Sequence, residues 1–194
     1  VTIPAFGQVG DSKSFVFAPY VVDRLAFSAR WQGFVGARFD VLNYEDTPSG
    51  TDRDDTNLSP LLGLVFAPTK DLSLHLSAGS SFAPPSTQVV GPREPEKGKQ
   101  LEAGAKLQFL EGKAFLGGSF YTLQRENIAI PDSSGLLKEV GDQRSRGFEL
   151  DFTAEPRKGL VTYVSYAFTD SELTRFSDSV FTGTGYLVTD RSGN

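Results

Sequence analysis

The sequence predicts an all-β protein, an antiparallel meander of about eight strands. Three observations predict it: apolar and polar residues alternate with a period of two in several windows, the composition favours strand and turn formers, and short connections take turns with long ones. The chain has 194 residues, with sixteen Phe, six Tyr and twenty Gly, and helix formers dominate no long window.

Alternation runs from about Ser14 to Phe27, from Trp31 to Tyr44 and from Leu58 to Phe66. It is cleanest in the fourth strand, where Leu72, Leu74, Leu76 and Ala78 interleave with Ser73, His75, Ser77 and Gly79. The fifth sets Leu101, Ala103, Ala105, Leu107 and Phe109 against Gln100, Glu102, Gly104, Lys106 and Gln108. The sixth spans Lys113 to Gln124, the seventh sets Phe148, Leu150 and Phe152 against Gly147, Glu149 and Asp151, and the eighth runs from Leu160 to Thr169.

Tight connections are expected at Ser28 to Arg30, Ala67 to Asp71, Leu110 to Gly112 and Glu155 to Gly159. Long ones are expected at Glu45 to Asn57, Ser80 to Lys99, Arg125 to Asp142 and beyond Asp170, all rich in Asp, Ser, Thr, Gly and Pro.

Composition narrows the chemistry. Without Cys there is no disulfide, thiol nucleophile or thiolate zinc site. The formal charge of -5 leaves no basic stripe for phosphate backbones, so nucleic acid is not an expected partner. No run reaches the roughly 18 apolar residues of a membrane helix, and mean hydropathy is negative. A spanning strand needs only about 9 to 11 residues with every second one apolar, so hydropathy does not speak to a barrel. Short turns at one end and long loops at the other are what a transmembrane barrel shows. Aromatics at the strand ends, among them Tyr20, Trp31, Phe39, Tyr44, Phe66, Phe82, Phe120, Tyr121, Tyr166 and Phe168, suit interfacial girdles or an ordinary β-core. The chain opens at Val1 with no charged or apolar leader and reads as an internal fragment, a single partial barrel domain over residues 1–194.

Catalytic and metal motifs are weak. Asp52 to Asn57 lacks the Gly and Glu of a calcium loop. His75 has no second His or Cys beside it and should be a hydrogen-bonded wall residue, and no Gly-x-Ser-x-Gly elbow occurs, so no enzyme is expected.

Four segments, read in order, resemble the barrel of TonB-dependent siderophore receptors. They are APYVVDRLAFSARWQGFVGARFD (Ala18 to Asp40), LSPLLGLVFAPTKDLSLHLSAGSSFAPP (Leu58 to Pro85), REPEKGKQLEAGAKLQFLEGKAFLGGSFY (Arg93 to Tyr121) and GDQRSRGFELDFTAEPRKGL (Gly141 to Leu160). Val22, Phe39 and Ala83 depart from the family's usual residues. The wall signature falls on Pro60, Gly63, Pro84, Pro85, Pro95, Glu96, Gly98, Glu102, Gly104, Arg144, Gly147 and Glu149. Gly63, Gly104 and Gly147 suit close backbone approach, and Glu102, Arg144, Glu149 and Asp151 are expected to pair on the lumen side.

The resemblance implies a transmembrane barrel of about 22 strands, eight of them supplied here from its later half, around a plug domain that this sequence lacks. It implies a receptor in the outer membrane of a Gram-negative bacterium that imports ferric siderophores, with no resident cofactor. TonB with ExbB and ExbD would act through the missing plug, and the wall would meet outer-membrane lipid and lipopolysaccharide. Candidate ligand contacts are Tyr44, Phe82, Gln88, Arg93, Phe176 and Tyr186, chosen as loop residues on a rigid scaffold. Alternatives are a receptor of the same kind for cobalamin, haem or a glycan, an eight-stranded anchor, adhesin or barrel enzyme, and a soluble β-sandwich binding module.

Overall fold

The computed structural model describes residues 12–47, 50–84, 94–131, 138–181 and 186–193, and every element in it is a strand. These are β1 (Ser12–Phe17), β2 (Tyr20–Ala26), β3 (Trp31–Asp46), β4 (Thr51–Phe66), β5 (Leu72–Ala83), β6 (Glu96–Phe109), β7 (Ala114–Pro131), β8 (Lys138–Arg157), β9 (Leu160–Arg175), β10 (Ser177–Phe181) and β11 (Tyr186–Asp190).

Neighbouring strands pair antiparallel in chain order from β3 to β9. β1 and β2 both pair with β3, β1 along residues 41–46 and β2 along residues 32–38, so together they form one wall strand broken at Ala18 and Pro19. Proline has no N–H for the ladder, and Phe39 N donates to the Pro19 carbonyl at 2.9 Å across the break. The wall therefore has the eight strands that the alternation predicts. It is an open sheet: among the described residues β9 and the β1/β2 strand each pair on one side only within it. An eight-stranded barrel closed on itself is thereby excluded for this arrangement.

The strands run further than their alternation suggests at the loop end. β4 begins at Thr51 rather than Leu58, β7 continues to Pro131 and β8 starts at Lys138, so much of two expected long loops is paired strand. Asp52 to Asn57 belong to β4, with no calcium-loop geometry. Beyond Asp170 the chain completes β9, forms the β10–β11 hairpin and returns beside β9, where Gly193 N donates to Leu173 O at 2.6 Å. Asp52 to Asn57 carry polar side chains on both faces and Ile128 to Ile130 apolar ones on both, so no alternation marks these segments as strands. The tight turns stand at the opposite end, as expected.

The register sorts side chains into two faces. On the apolar face one row across the sheet holds Leu107, Leu116, Phe152 and Val164, the next Ala105, Gly118, Leu150 and Tyr166, and the next Ala103, Phe120, Phe148 and Phe168. Leu74, Leu76, Leu62 and Val35 continue this face across β5, β4 and β3, and all four are exposed. From Leu101 to Phe109 the band measures roughly 27 Å along the strand, or about 20 Å in height at a barrel strand's tilt, close to an outer-membrane apolar band. Aromatic rings border it. Trp31 stacks on Phe66 at 4.4 Å toward the turns, while Phe120, Phe148 and Phe168 form a ladder toward the loops with centroids 5.9 and 5.8 Å apart. Four expected girdle members lie elsewhere: Tyr121 sits on the polar face, its hydroxyl 2.6 Å from Thr169 Oγ1, Tyr20 pairs with Arg38 and shares its face, and Tyr44 and Phe82 are buried.

Two glycines of the signature are required by proximity. A Cβ on Gly147 would collide with the Phe168 carbonyl and the Tyr121 hydroxyl, and one on Gly104 would lie 2.5 Å from the Gly118 carbonyl. Gly63 has room, its hypothetical Cβ lying 3.5 Å from Phe34. Gly147→Ala should thus destabilise the folded wall by about 1–3 kcal/mol, since overpacking displaces backbone. Gly117→Ala, whose Cβ would approach nothing nearer than 4.0 Å, should be neutral within error. Urea unfolding of the two variants in detergent or lipid checks the contrast.

Candidate functional site at the loop end of the wall

The β4–β5 ladder stops at the Leu61–Gly79 pair, beside Pro60. A proline there has no amide hydrogen to offer, and above it the tops of β4 and β5 part. Side chains fill the gap. Phe82, Leu42 and Tyr44 form a buried cluster, and Arg38 Nη2 donates to the Phe82 carbonyl at 3.0 Å, tying the end of β5 to β3. Phe82 has the strand phase of the apolar row but is 6% exposed, because at that height β5 has parted from β4 while still paired with β6.

Asp40 is fully buried two residues from Arg38 on the same face. Its Oδ2 accepts from Arg38 Nε at 3.1 Å; its Oδ1 lies 2.9 Å from Nη2 but receives no well-directed hydrogen bond. A buried carboxylate needs such a partner, so Arg38 both neutralises Asp40 and anchors β5. Further up the same face Arg53 chelates Asp55.

A second polar patch lies lower on this face. His75 Nε2 is 3.1 Å from Glu102 Oε1, as its strand phase predicts, and Gln100 also donates to Glu102. Lys106, Ser119, Glu149 and Asp151 share the patch. The expected mutual pairing of Glu102, Arg144, Glu149 and Asp151 does not form. Asp151 accepts from Tyr163, while Arg144 has the opposite strand phase and binds Glu172, its Nε 2.6 Å away, on the other face. The alternation within GDQRSRG puts Arg144 and Arg146 with Phe148 and Leu150, so the correct side was legible from parity.

The third feature, a hub on Asp142, was missed by sequence reading. Between Arg125 and Ile128 strand β7 bulges, with Asn127 in the left-handed region at φ 59°, and the β8–β9 register shifts next to Asp142. The carboxylate accepts the bulge's Asn127 N–H at 3.0 Å and both arms of Arg175 at 2.8 and 3.0 Å. Asn127 Nδ2 reaches the Pro95 carbonyl at 3.1 Å, so one cluster joins the upper ends of four strands. Nearby, Arg125 binds Glu96 at 3.2 Å. Phe176 is buried directly beyond, against Gly141.

The structure thus brings Tyr44 and Phe82 together and places Phe176 on the far side of the sheet beside β8. All three rings are buried. Tyr186 opens β11 opposite Phe181, and nothing further is described of its side chain. Gln88, Arg93 and Pro85 lie outside the described residues. Pro84 ends β5, Pro95 is buried before β6, and a Cβ on Gly98 would meet only the Ser81 hydroxyl, which can turn away.

Two predictions follow from the charges. Arg38→Met should cost about 3 kcal/mol by stranding the Asp40 carboxylate, and Arg38→Met with Asp40→Leu should recover most of it; chemical denaturation of the single and double variants measures the coupling. At the hub, the Arg175 hydrogen bond holds the Asp142 carboxyl below the ordinary carboxylate range. A depressed folded value stabilises the hub above the unfolded value, near pH 4, and that contribution is lost as pH falls through the folded one. Protection of the Asn127 amide, measured against its intrinsic exchange rate at each pH, should accordingly fall below about pH 4, and Asp142→Asn should show low protection already at neutral pH.

Comparison with known proteins accords with this geometry. The family model "TonB dependent receptor-like, beta-barrel" matches residues 2–192. The metal-pseudopaline receptor of Pseudomonas aeruginosa is 30% identical over 167 residues, 79% of this chain and 24% of the relative. The ferrichrome outer membrane transporter/phage receptor of Escherichia coli is 30% identical over 176 residues, 84% of this chain and 23% of the relative. Among solved structures, the siderophore receptor PiuA from Acinetobacter baumannii superposes with a TM-score of 0.74 at 22% identity over 94% of this chain and 28% of that one. The ferripyoverdine receptor of Pseudomonas aeruginosa gives 0.73 at 18% identity, over 86% and 24%. The chain spans about a quarter of the length of these relatives. With a family match over nearly its whole length and an open, two-faced antiparallel wall, this chain belongs to the TonB-dependent receptor β-barrel family.

Proposed function

We propose that this chain is part of the wall of an outer-membrane receptor that imports ferric siderophores into a Gram-negative bacterium. The observation that carries the reading is the division of one continuous sheet into an apolar face banded by aromatics and a polar face bearing His75, Glu102, Glu149 and Asp151. Such a sheet suits hydrocarbon on one side and a wet or plugged lumen on the other. Its unpaired β9 and β1/β2 edges require further strands, because unpaired backbone groups are not tolerated in lipid.

In this reading the loop end is extracellular. Arg38, Asp40, Tyr44 and Phe82 on one side and the Asp142 hub on the other hold the rims from which loops engage cargo. Import makes and breaks no bond. TonB with ExbB and ExbD would supply the energy through a plug domain. A second reading, a receptor for a metal chelate other than a ferric siderophore, is favoured by the 30% identity to the metal-pseudopaline receptor.

Two measurements test the proposal. Spin labels at Leu74, Leu107 and Leu150 in the reconstituted full-length receptor should be relaxed by oxygen, and labels at Ser73, Lys106 and Glu149 by a polar nickel reagent. Shielding of the first set from both reagents would falsify the membrane reading. Uptake of radiolabelled ferric siderophores, compared between wild-type and deletion strains and with other metals on the same chelators, decides the cargo. Equal uptake by both strains for every iron chelate would remove siderophores from the list.

A further inference from the structure

At the loop end the polar face carries its charge in matched pairs. Above the Leu61–Gly79 row its described side chains include three cations, Arg38, Arg53 and Arg125, and each is joined to a carboxylate: Arg38 to Asp40, Arg53 to Asp55 and Arg125 to Glu96. In every pair the arginine is the more exposed partner, at 44% against 1%, 29% against 20% and 47% against 22%, so guanidinium faces the lumen and carboxylate lies beneath it. Below that row Glu102, Glu149 and Asp151 share their patch with Lys106 and His75, and Arg24 stands in the row of Glu102. Small side chains fill the space between the pairs. Tyr20, Arg38 and Ser59 stand in register across β2 to β4, and Ser81, Gly98 and Arg125 across β5 to β7. Two cavities, of about 390 and 270 Å³, lie over these residues and meet at Leu61, Ser80 and Ser81.

We propose that Asp40, Asp55 and Glu96 set the charge of the cargo: the receptor takes oxygen-rich ferric chelates without net charge, of the tris-hydroxamate kind, and discriminates against triply negative ones of the tris-catecholate kind. The inference rests on the receptor reading above and deepens it by naming the class of chelate. Three singly charged hydroxamates cancel iron(III), whereas three doubly charged catecholates leave three negative charges. A guanidinium backed by a carboxylate still presents N–H groups to the lumen, and these donate to hydroxamate, carbonyl or hydroxyl oxygens. Its field, however, is that of a dipole and fades faster with distance than that of a lone charge. A triply negative chelate leaving water needs uncompensated cations to replace its hydration, and this face offers it arginines already committed to carboxylates. Tyr20, exposed at the edge of the larger cavity, and the exposed Ser81 add hydroxyls that are likewise uncharged.

The test uses the full-length receptor in detergent, titrated by calorimetry with ferric tris-hydroxamates and ferric tris-catecholates on several backbones of each class. The tightest neutral chelate should bind at least tenfold more strongly than the tightest triply negative one, and its affinity should change less than about twofold between low and physiological salt. Asp55→Asn with Glu96→Gln uncovers Arg53 and Arg125 and should narrow that preference about tenfold at low salt. Asp54→Asn with Glu126→Gln removes the same charge from the other face and should leave the preference as it is. Triply negative chelates binding the wild-type receptor as tightly as neutral ones would overturn the proposal without recourse to any variant, while leaving the siderophore reading in place. So would an unchanged preference in the first double variant, or an equal shift in both, which would trace it to overall charge. Binding of neither class would remove the siderophore reading together with this one.

Discussion

The need to pair every backbone N–H and C=O across strands governs this structure, because a wall in contact with hydrocarbon has no water to satisfy them. Where the ladder is continuous, side chains are free to divide into two faces by parity. At several interruptions a proline stands at or beside the break, Pro19 between β1 and β2, Pro60 beside the last β4–β5 pair, Pro84 after β5 and Pro131 at the end of β7, whereas the β7 bulge between Arg125 and Ile128 has none. The substitute bonds lie at the loop end, one from the backbone and one from a side chain. Phe39 N reaches back to Pro19 O, and Arg38 reaches across to Phe82 O.

The same constraint explains why charge is distributed as it is. On the polar face acids and bases sit at mid-wall height, with Glu102 shared between His75 and Gln100. On the apolar face charge begins only above the Phe120, Phe148 and Phe168 row, as the rows of Arg146 and Arg144 show. The aromatic ladder therefore marks one physical boundary, between residues that select against water and residues that need it. Exposed ion pairs at that height, such as Lys99 with Glu126, add little stability each. Their placement fixes where the membrane ends.

Much of this was legible in the residues. Strict alternation in Leu72 to Gly79 and Gln100 to Phe109 located β5 and β6 because burial on one face writes a period of two into the sequence. The tight turns were legible for the same reason, by contrast with what flanks them. The upper halves of β4, β7 and β8 were not, since Asp52 to Asn57 is polar on both faces and Ile128 to Ile130 apolar on both, and the alternation loses its contrast either way. The Asp142 hub was illegible for a different reason. A bulge shifts parity by one residue, and no local signal in Arg125 to Ile128 announces it beyond an Asn able to adopt positive φ. Arg144 was assigned to the wrong face although its spacing from Phe148 and Leu150 placed it correctly.

The two interruptions at the loop end are not equivalent. Beside Pro60 the gap is filled by rings and by a buried Asp40 held by a single guanidinium, so little of its strength comes from backbone. Across the β7 bulge, Asp142 accepts one backbone N–H and a bidentate arginine where the ladder is broken. Rigidity at the mouth should therefore be greater on the β7–β9 side than on the β3–β5 side, where loss of one contact at Arg38 releases both a strand end and a buried charge. In the receptor proposed above the two rims would then differ in kind: one keeps its shape, and the order of the other depends on a single ion pair.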